Sequence, residues 1–352
     1  MSLDTLSDVL RRIHLRGTLL FHVAGGAPWV VEALPASEIA AAVMPGAGHV
    51  MAYHVVASGS CWGAVVGEPP VRAERGDVLV YARGDAHVLS SAPGMRAGYA
   101  VNPFFLSRSE PAPFFLRVRG NDVTPSHAGS DGGGDDTTII CGFFGCDAQP
   151  FNPLLATLPR LLHVRDQGDA DQSLIAQFIR TAVRESAQRR PGGEAVLERL
   201  SEMMFVELVR GYLDGLPSDQ TGWLAGLRDR FVGRALTLLH ERPAHRWTVD
   251  ALADLVGISR SALYDRFCLL IGQAPMQYLT SWRMQLASGL LVHTETSILS
   301  VALEVGYESE AAFVRAFKKA TGVPPGQWRR ERTRRMQSTQ TAEADAQAPA
   351  TG

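Results

Sequence analysis

The sequence predicts an α+β chain. A β-barrel or β-sandwich comes first, a helical segment follows, and an all-α block with two helix-turn-helix units lies near the carboxyl end. Three observations carry this. Residues 15–150 are rich in Gly, Val and short apolar runs broken by turn residues, the mark of short strands. Residues 151–217 change to a helical apolar period. Residues 223–335 contain one helical pattern written twice.

The bulk numbers bound the function. The chain has 352 residues, enough for two or three domains. A hydrophobic share of 46% and a charged share of 20% are those of a globular protein. No apolar run reaches the roughly 18 residues of a membrane span. The opening "MSLDTLSDVLRRI" lacks the basic-then-apolar order of a secretory signal. Four cysteines (Cys61, Cys141, Cys146, Cys268) do not make a disulfide scaffold at this length, so a cytoplasmic protein is expected. The net charge of −2 is uneven: Thr221–Arg335 holds 16 of the 34 Lys and Arg but only 10 of the 36 Asp and Glu. That segment is therefore basic and the rest acidic. A solvated charged face gives the same count, but a basic end on an acidic body also suits contact with a polyanion.

In the first region, "HVMAYHVVASGSCWGAVV" alternates loosely, "GEPPVRAERGD" supplies turns, and "VLVYARGDAHVLSS" resumes the strand pattern. "HAGSDGGGDD", His127–Asp136, is too glycine-rich and acidic to pack and is expected to be a mobile loop. In the second region, Leu174, Phe178 and Ile179 fall along one side of a helix, which "QRRPGGE" breaks. Val196, Leu200, Met203, Met204 and Leu208 then form an apolar stripe that ends at Gly215 and Pro217. Such a stripe serves either the chain's own core or a dimer seam. The tail at residues 336–352 has no core-forming residues and is expected to be disordered.

The third region repeats itself. Val249, Leu252, Ala253 and Val256 follow the spacing of a helix with one buried face. Ile298, Val301, Ala302 and Val305 do the same farther along. Gly257 matches Gly306, where positive φ would let a helix end in a tight turn. Leu263 and Phe267 match Phe313 and Phe317, with the second turn one residue longer. Ser259 and Ser309 stand where an N-cap hydroxyl is wanted. Each copy is therefore helix, short turn, helix, a unit whose second helix can enter the DNA major groove. The apolar positions are kept because both copies need the same packing, and the polar positions differ because they face outward. Between the copies, Tyr278, Trp282 and Leu286 lie on one helix. Such a strut could hold two recognition helices about 34 Å apart, one turn of DNA.

Here a family resemblance becomes specific. "TVDALADLVGISRSALYDRF", "SWRMQLASGLL" and "SILSVALEVGYESEAAFVRAFKKATGVPPGQWR" resemble the DNA-binding domain of AraC/XylS transcription regulators. The resemblance implies that Ser261, Tyr264 and Asp265 of the first recognition helix face bases, with Arg260 nearer the backbone. In the second helix it implies the same for Glu310, Ala311, Val314 and Arg315. Arg315 stands out, because its planar fork can pair with guanine. Lys318, Lys319, Arg329 and Arg330 suit phosphate contacts, which position without specifying. Implied partners are promoter DNA, a second copy of the chain as a homodimer, and RNA polymerase if the protein activates.

The front region resembles a cupin barrel of the kind that precedes some AraC-like DNA-binding domains, with "GDVLVYARGDAHVLS" like the second cupin motif and "TTIICGFFGCDAQPFNPLLATLPRLLHV" like the link to the helices. The expected domains are thus a cupin-like sensor at 1–150, a helical linker or dimerisation segment at 151–217, and the DNA-binding domain at 223–335. Metal-dependent cupins carry His-x-His and a downstream glutamate, whereas this stretch offers only His54, with His87 in the second motif. By residue type, His54, His87, Cys141 and Cys146 could form a zinc or other divalent metal set. Against this, Cys141 and Cys146 on a regular strand would face opposite sides, about 17 Å apart at 3.3 Å per residue. They would meet only if "GFFG" bends. Cysteine redox sensing and an organic-effector pocket are the other readings of the barrel. The main alternative for the whole chain is a cupin enzyme, oxygenase-like, with a helical appendage, and the missing metal motif weighs against it. A ligand-free structural adaptor is a third.

Overall fold

The computed structural model describes residues 4–98, 113–127, 136–165, 173–188, 190–217 and 219–334. The glycine-rich stretch, apart from its two ends, and the carboxyl-terminal tail lie outside the described residues. The chain divides into two compact units. One comprises Leu15–Cys146 and Leu158–Asp214; the other comprises Met1–His14, Asp147–Thr157 and Gly215–Gly352.

The first unit is a nearly closed β-barrel. Its strands are β1 (Arg16–Ala33), β2 (His49–Ser58), β3 (Ser60–Val65), β4 (Val71–Glu74), β5 (Val78–Tyr81), β6 (His87–Ser90), β7 (Phe114–Gly120), β8 (Asp122–Pro125), β9 (Thr137–Cys146) and β10 (Leu161–Val164). They run in the order β10-β5-β2-β9-β1-β6-β3-β4, with β7 on β1 and β8 on β7. Every pairing is antiparallel except that of β1 with β7. Strand β1 is long enough to serve two parts of the sheet, pairing with β9 and β7 first and with β6 at its end.

The loose alternation of β2 has a physical cause. Both of its faces are buried. Ala52 and Val56 face the apolar core inside the barrel. On the other face, Tyr53 meets two helices, α4 (Leu174–Gln188) and α5 (Gly193–Gly215). Its ring packs edge-on to Phe178, and its hydroxyl lies 3.0 Å from both Thr18 O and Ser201 Oγ. Phe144 of β9 packs against Phe205. A Cβ on Gly17 would sit 2.4 Å from Ser201 Cβ, so that glycine permits the close approach of β1 to α5.

This packing corrects two expectations. The helices of 158–214 belong to the barrel unit rather than to a separate linker. The face of α5 that packs is Leu197, Ser201, Met204, Phe205 and Leu208. Val196 and Met203, expected on the same stripe, are exposed at 43% and 53%. The buried face instead includes a polar residue, Ser201. It is fully buried and donates to Leu197 O at 2.8 Å.

The second unit is helical. It contains α1 (Thr5–Arg12), α3 (Pro153–Thr157), α6 (Trp223–Arg228), α7 (Arg230–Glu241), α8 (Val249–Val256), α9 (Arg260–Ile271), α10 (Pro275–His293), α11 (Ile298–Glu304) and α12 (Glu310–Thr321). Residues 325–334 are also helical. The remaining helix, α2 (Ala36–Val43), lies in the barrel unit. The domain boundary at 150 is corrected at both ends, because α1 and residues 147–157 pack here. Asp8 of α1 meets His240 Nδ1 at 3.0 Å, and His240 Nε2 meets Tyr278 Oη at 2.8 Å. Trp223 Nε1 donates to the same hydroxyl. Phe151 N donates to Gln285 Oε1. These polar groups are buried and mutually satisfied, which fixes α1 against α7 and α10. Among the described residues, no helix is long and apolar enough to cross a membrane.

Each copy of the repeat closes in the same way. Ile258 N donates to Ala253 O, and Tyr307 N donates to Ala302 O, the six-to-one bond of a glycine C-cap. Gly257 and Gly306 have φ of 79° and 87°. Ser259 and Ser309 cap α9 and α12 through Ala262 N and Ala312 N. The two glycines differ in surroundings. A Cβ on Gly257 would meet nothing within 4 Å, whereas on Gly306 it would lie 2.6 Å from Ala244 Cα. Gly257→Ala should therefore cost about 1–2 kcal/mol, the left-handed backbone penalty alone. Gly306→Ala should cost clearly more, about 3 kcal/mol or above, because backbone must also move. Urea unfolding of the two variants measures this, and equal losses would contradict it.

Candidate nucleic-acid interface and barrel cavity

The two helix-turn-helix units lie on either side of α10. Leu252, Ala253, Leu263 and Phe267 are buried in the first. Val301, Ala302, Phe313 and Phe317 are buried in the second, against Met284, Ala287 and Leu291 of α10. Burying these residues turns the opposite sides of α9 and α12 to solvent. Arg260, Ser261, Tyr264 and Asp265 are all exposed on α9. Glu310, Ala311, Arg315, Lys318 and Lys319 are exposed on α12, and Arg330 is exposed beyond it. Arg315 makes no ion pair among the described residues, whereas Arg260 lies 3.7 Å from Asp250.

Two expected contact residues are placed otherwise. Val314 is half-buried and packs on the second apolar cluster, so it is partly core. Arg329 donates through Nε to Leu291 O at 2.9 Å and through Nη2 to Thr296 O. Those bonds cap the end of α10 and the segment after it, which makes Arg329 a brace rather than a free phosphate contact. Local pattern cannot reveal this, because the carbonyls it reaches are 33 and 38 residues away. Arg283 is a second brace that the repeat did not reveal. It donates to Pro243 O and His245 O, and its guanidinium lies over the Tyr307 ring. The extra residue in the second turn, Glu308, pairs with Arg246.

In the barrel, three of the four expected metal ligands come together. His54 Nδ1 lies 3.0 Å from Cys141 Sγ, His54 Nε2 lies 2.8 Å from His87 Nε2, and His87 Nδ1 lies 3.1 Å from Asp85 O. The chemistry of these groups fixes every proton. A backbone carbonyl only accepts, so His87 Nδ1 carries a hydrogen and its Nε2 accepts. His54 Nε2 therefore donates, its Nδ1 accepts, and the Cys141 thiol donates. Burial holds both histidines neutral, with His87 pushed down to about 4 and His54 well below its ordinary value. Burial also pushes the Cys141 thiol far up, so no thiolate forms.

This arrangement does not fit the expected metal site. One ion needs a lone pair from each ligand aimed at one point, but His54 turns opposite ring edges to its two neighbours. Cys146 stands elsewhere. The ladder from His54↔Cys141 to His49↔Cys146 runs without a register shift, so "GFFG" does not bend. Among the described residues, no cluster of three or more His, Cys, Asp or Glu is placed to hold a metal.

His54, His87 and Cys141 instead line a cavity of about 130 Å³ inside the barrel. The rest of its wall is apolar, with Trp29, Val31, Leu89, Val118, Ile139 and Phe143 among the lining residues. Trp29 was not singled out from sequence. Its indole lies on Gly25, where a Cβ would come within 2.6 Å of Nε1.

The buried neutral histidines make the barrel sensitive to acid. His22 is buried beside Ser186 Oγ, and burial lowers it to about 4, as it does His87. The unfolded chain then binds more protons than the folded one below the ordinary value of 6.5. The stabilisation is full above pH 6.5 and drains as pH falls towards 4. By pH 4 the loss should be on the order of 3 kcal/mol for each histidine. Unfolding followed by circular dichroism across this window tests it. A barrel equally stable at both ends would contradict it.

Residues 4–214 match the family model described as Cupin, and residues 252–331 match the model described as Helix-turn-helix domain. An AraC-like transcription regulator of Streptomyces lividans is 33% identical over 336 residues, covering 94% of this chain and 99% of that protein. Another from Streptomyces antibioticus is 31% identical over 330 residues, covering 93% of this chain and 99% of that protein. Among solved structures, the DNA-binding domain of AdpA in complex with a target DNA is 30% identical, covers 31% of this chain and 98% of that one, and aligns with a TM-score of 0.30. This chain thus belongs to the AraC-like transcription regulators, with a cupin domain ahead of its two helix-turn-helix units.

Proposed function

We propose that α9 and α12 read operator DNA in two successive major grooves while the barrel senses a small-molecule effector. The observation that carries this is the paired exposure of their outer faces on one strut, with both inner faces buried against the unit's core. Arg315 is the principal base reader, and Tyr264, Ser261, Asp265, Glu310 and Ala311 shape the preference at the remaining positions. Asp265 and Glu310 can accept from cytosine N4. Lys318, Lys319, Arg330 and Arg260 neutralise phosphates.

The barrel acts by binding and not by catalysis. Effector occupancy would shift how the DNA-binding units of a homodimer are placed, which requires different effector affinity in the two arrangements. We assign the dimer seam to the exposed side of α5, where Val196 and Met203 stand. A single-chain mass in sedimentation equilibrium would refute the dimer. Where the protein activates, RNA polymerase is the further partner, and the site of action is the cytoplasm.

Electrophoretic shifts on the protein's own upstream DNA, repeated across salt concentrations, test the DNA assignment. Arg315→Ala should lose about 1–3 kcal/mol at the cognate site and little on random DNA. Lys318→Ala should weaken both alike and reduce the salt slope by about one. Arg329→Ala should lower the unfolding midpoint instead, because its bonds are internal. Equal loss on both DNAs for Arg315→Ala would demote that residue to a phosphate contact.

A further inference from the structure

We propose that the barrel cavity binds a small, uncharged, largely hydrocarbon molecule, about the size of a single aromatic ring and carrying at most one hydrogen-bond acceptor. This rests on the effector reading of the barrel and supplies the chemical class of the effector. Three observations lead to it.

The first is size. The cavity measures about 130 Å³, and apolar cavities of about 150 Å³ stay dry and admit benzene. The second is the state of its polar wall. His54 and His87 line the cavity, yet all four of their ring nitrogens are committed to Cys141, to each other and to Asp85 O. The Cys141 proton is committed to His54 by the same chain. No lining side chain carries a formal charge, because the two histidines are held neutral. A carboxylate, phosphate or ammonium placed here would be buried without a counter-charge, which is costly. The third is Trp29, which lines the cavity, is 1% exposed and has an Nε1–H with no partner. It could serve a single acceptor on the ligand only after the indole shifts, because Nε1 is closed off and lies against Gly25.

The histidines therefore have a part that neither metal nor catalysis explains. Their relay absorbs its own polarity and leaves the cavity with a neutral surface. Cys141 contributes a polarisable sulfur to that surface.

Calorimetric titration of the full-length protein with three probes tests this: toluene, p-cresol and benzoate at neutral pH. Toluene and p-cresol should each saturate one site with a negative heat-capacity change. Benzoate should bind at least about tenfold more weakly, because its charge would be buried unpaired. Ala52→Leu, which extends a lining residue into the cavity, should abolish binding of both neutral probes. If that variant does not fold, the comparison of toluene with benzoate on the unchanged chain still decides. The proposal is overturned if benzoate binds as well as toluene, if neither neutral probe binds, or if a folded Ala52→Leu binds them as before. DNA shifts with each probe separate this from the effector reading. Neutral probes that bind without changing DNA affinity would sink that reading and leave the ligand class standing. DNA affinity that responds to benzoate alone would do the reverse.

Discussion

Helix α10 has to satisfy two cores at once, and the DNA-reading half of the protein depends on that. Near its start, Tyr278 and Trp282 are fully buried, with Tyr278 packed edge-on to Phe267 of the first helix-turn-helix. Towards its end, Met284, Ala287 and Leu291 pack with Phe313 and Phe317 of the second. A helix buried on several sides has no freedom to turn on its axis without breaking one core. The directions of α9 and α12 are thereby set together. The braces strengthen this coupling: Arg283 ties α10 to the loop before α8, and Arg329 ties its end to the residues after it. The polar network of Asp8, His240, Tyr278 and Trp223 brings α1, from the far end of the chain, into the same unit.

The barrel follows a different rule. Its sheet is covered outside by α4 and α5 and kept open inside around the cavity. The buried histidines are tolerated because each of their ring nitrogens finds a partner, as the proton chain from Cys141 to Asp85 O shows. A metal-dependent cupin would aim its histidines at one point. Here His54 and His87 turn their Nε2 atoms to each other at 2.8 Å.

Much of the helical unit was legible because it is governed by local rules. The repeat of Leu252, Ala253, Leu263 and Phe267 in Val301, Ala302, Phe313 and Phe317 required no long-range information. The capping serines and the turn glycines are equally local. What sequence did not show depends on distant partners. Ser201 looks polar and is core, because Tyr53 and Leu197 meet its hydroxyl. Arg329 looks like a phosphate contact and is a brace. Cys141 and Cys146 suit one ligand set by residue type, but the unbroken strand between them keeps them apart, as their odd spacing predicts. Residues 1–14 look like the start of the barrel and pack with the DNA-reading helices, since Asp8 has its partner at His240, 232 residues on.

The central claim is that α9 and α12 are held as two probes on one rigid strut. Hydroxyl-radical and methylation footprinting of the full-length protein on its own upstream DNA tests it most directly. The account predicts, for each protein copy, two protected major-groove segments on the same face of the duplex, about 10 base pairs apart centre to centre. A single protected segment per copy, or two on opposite faces of the duplex, would contradict it.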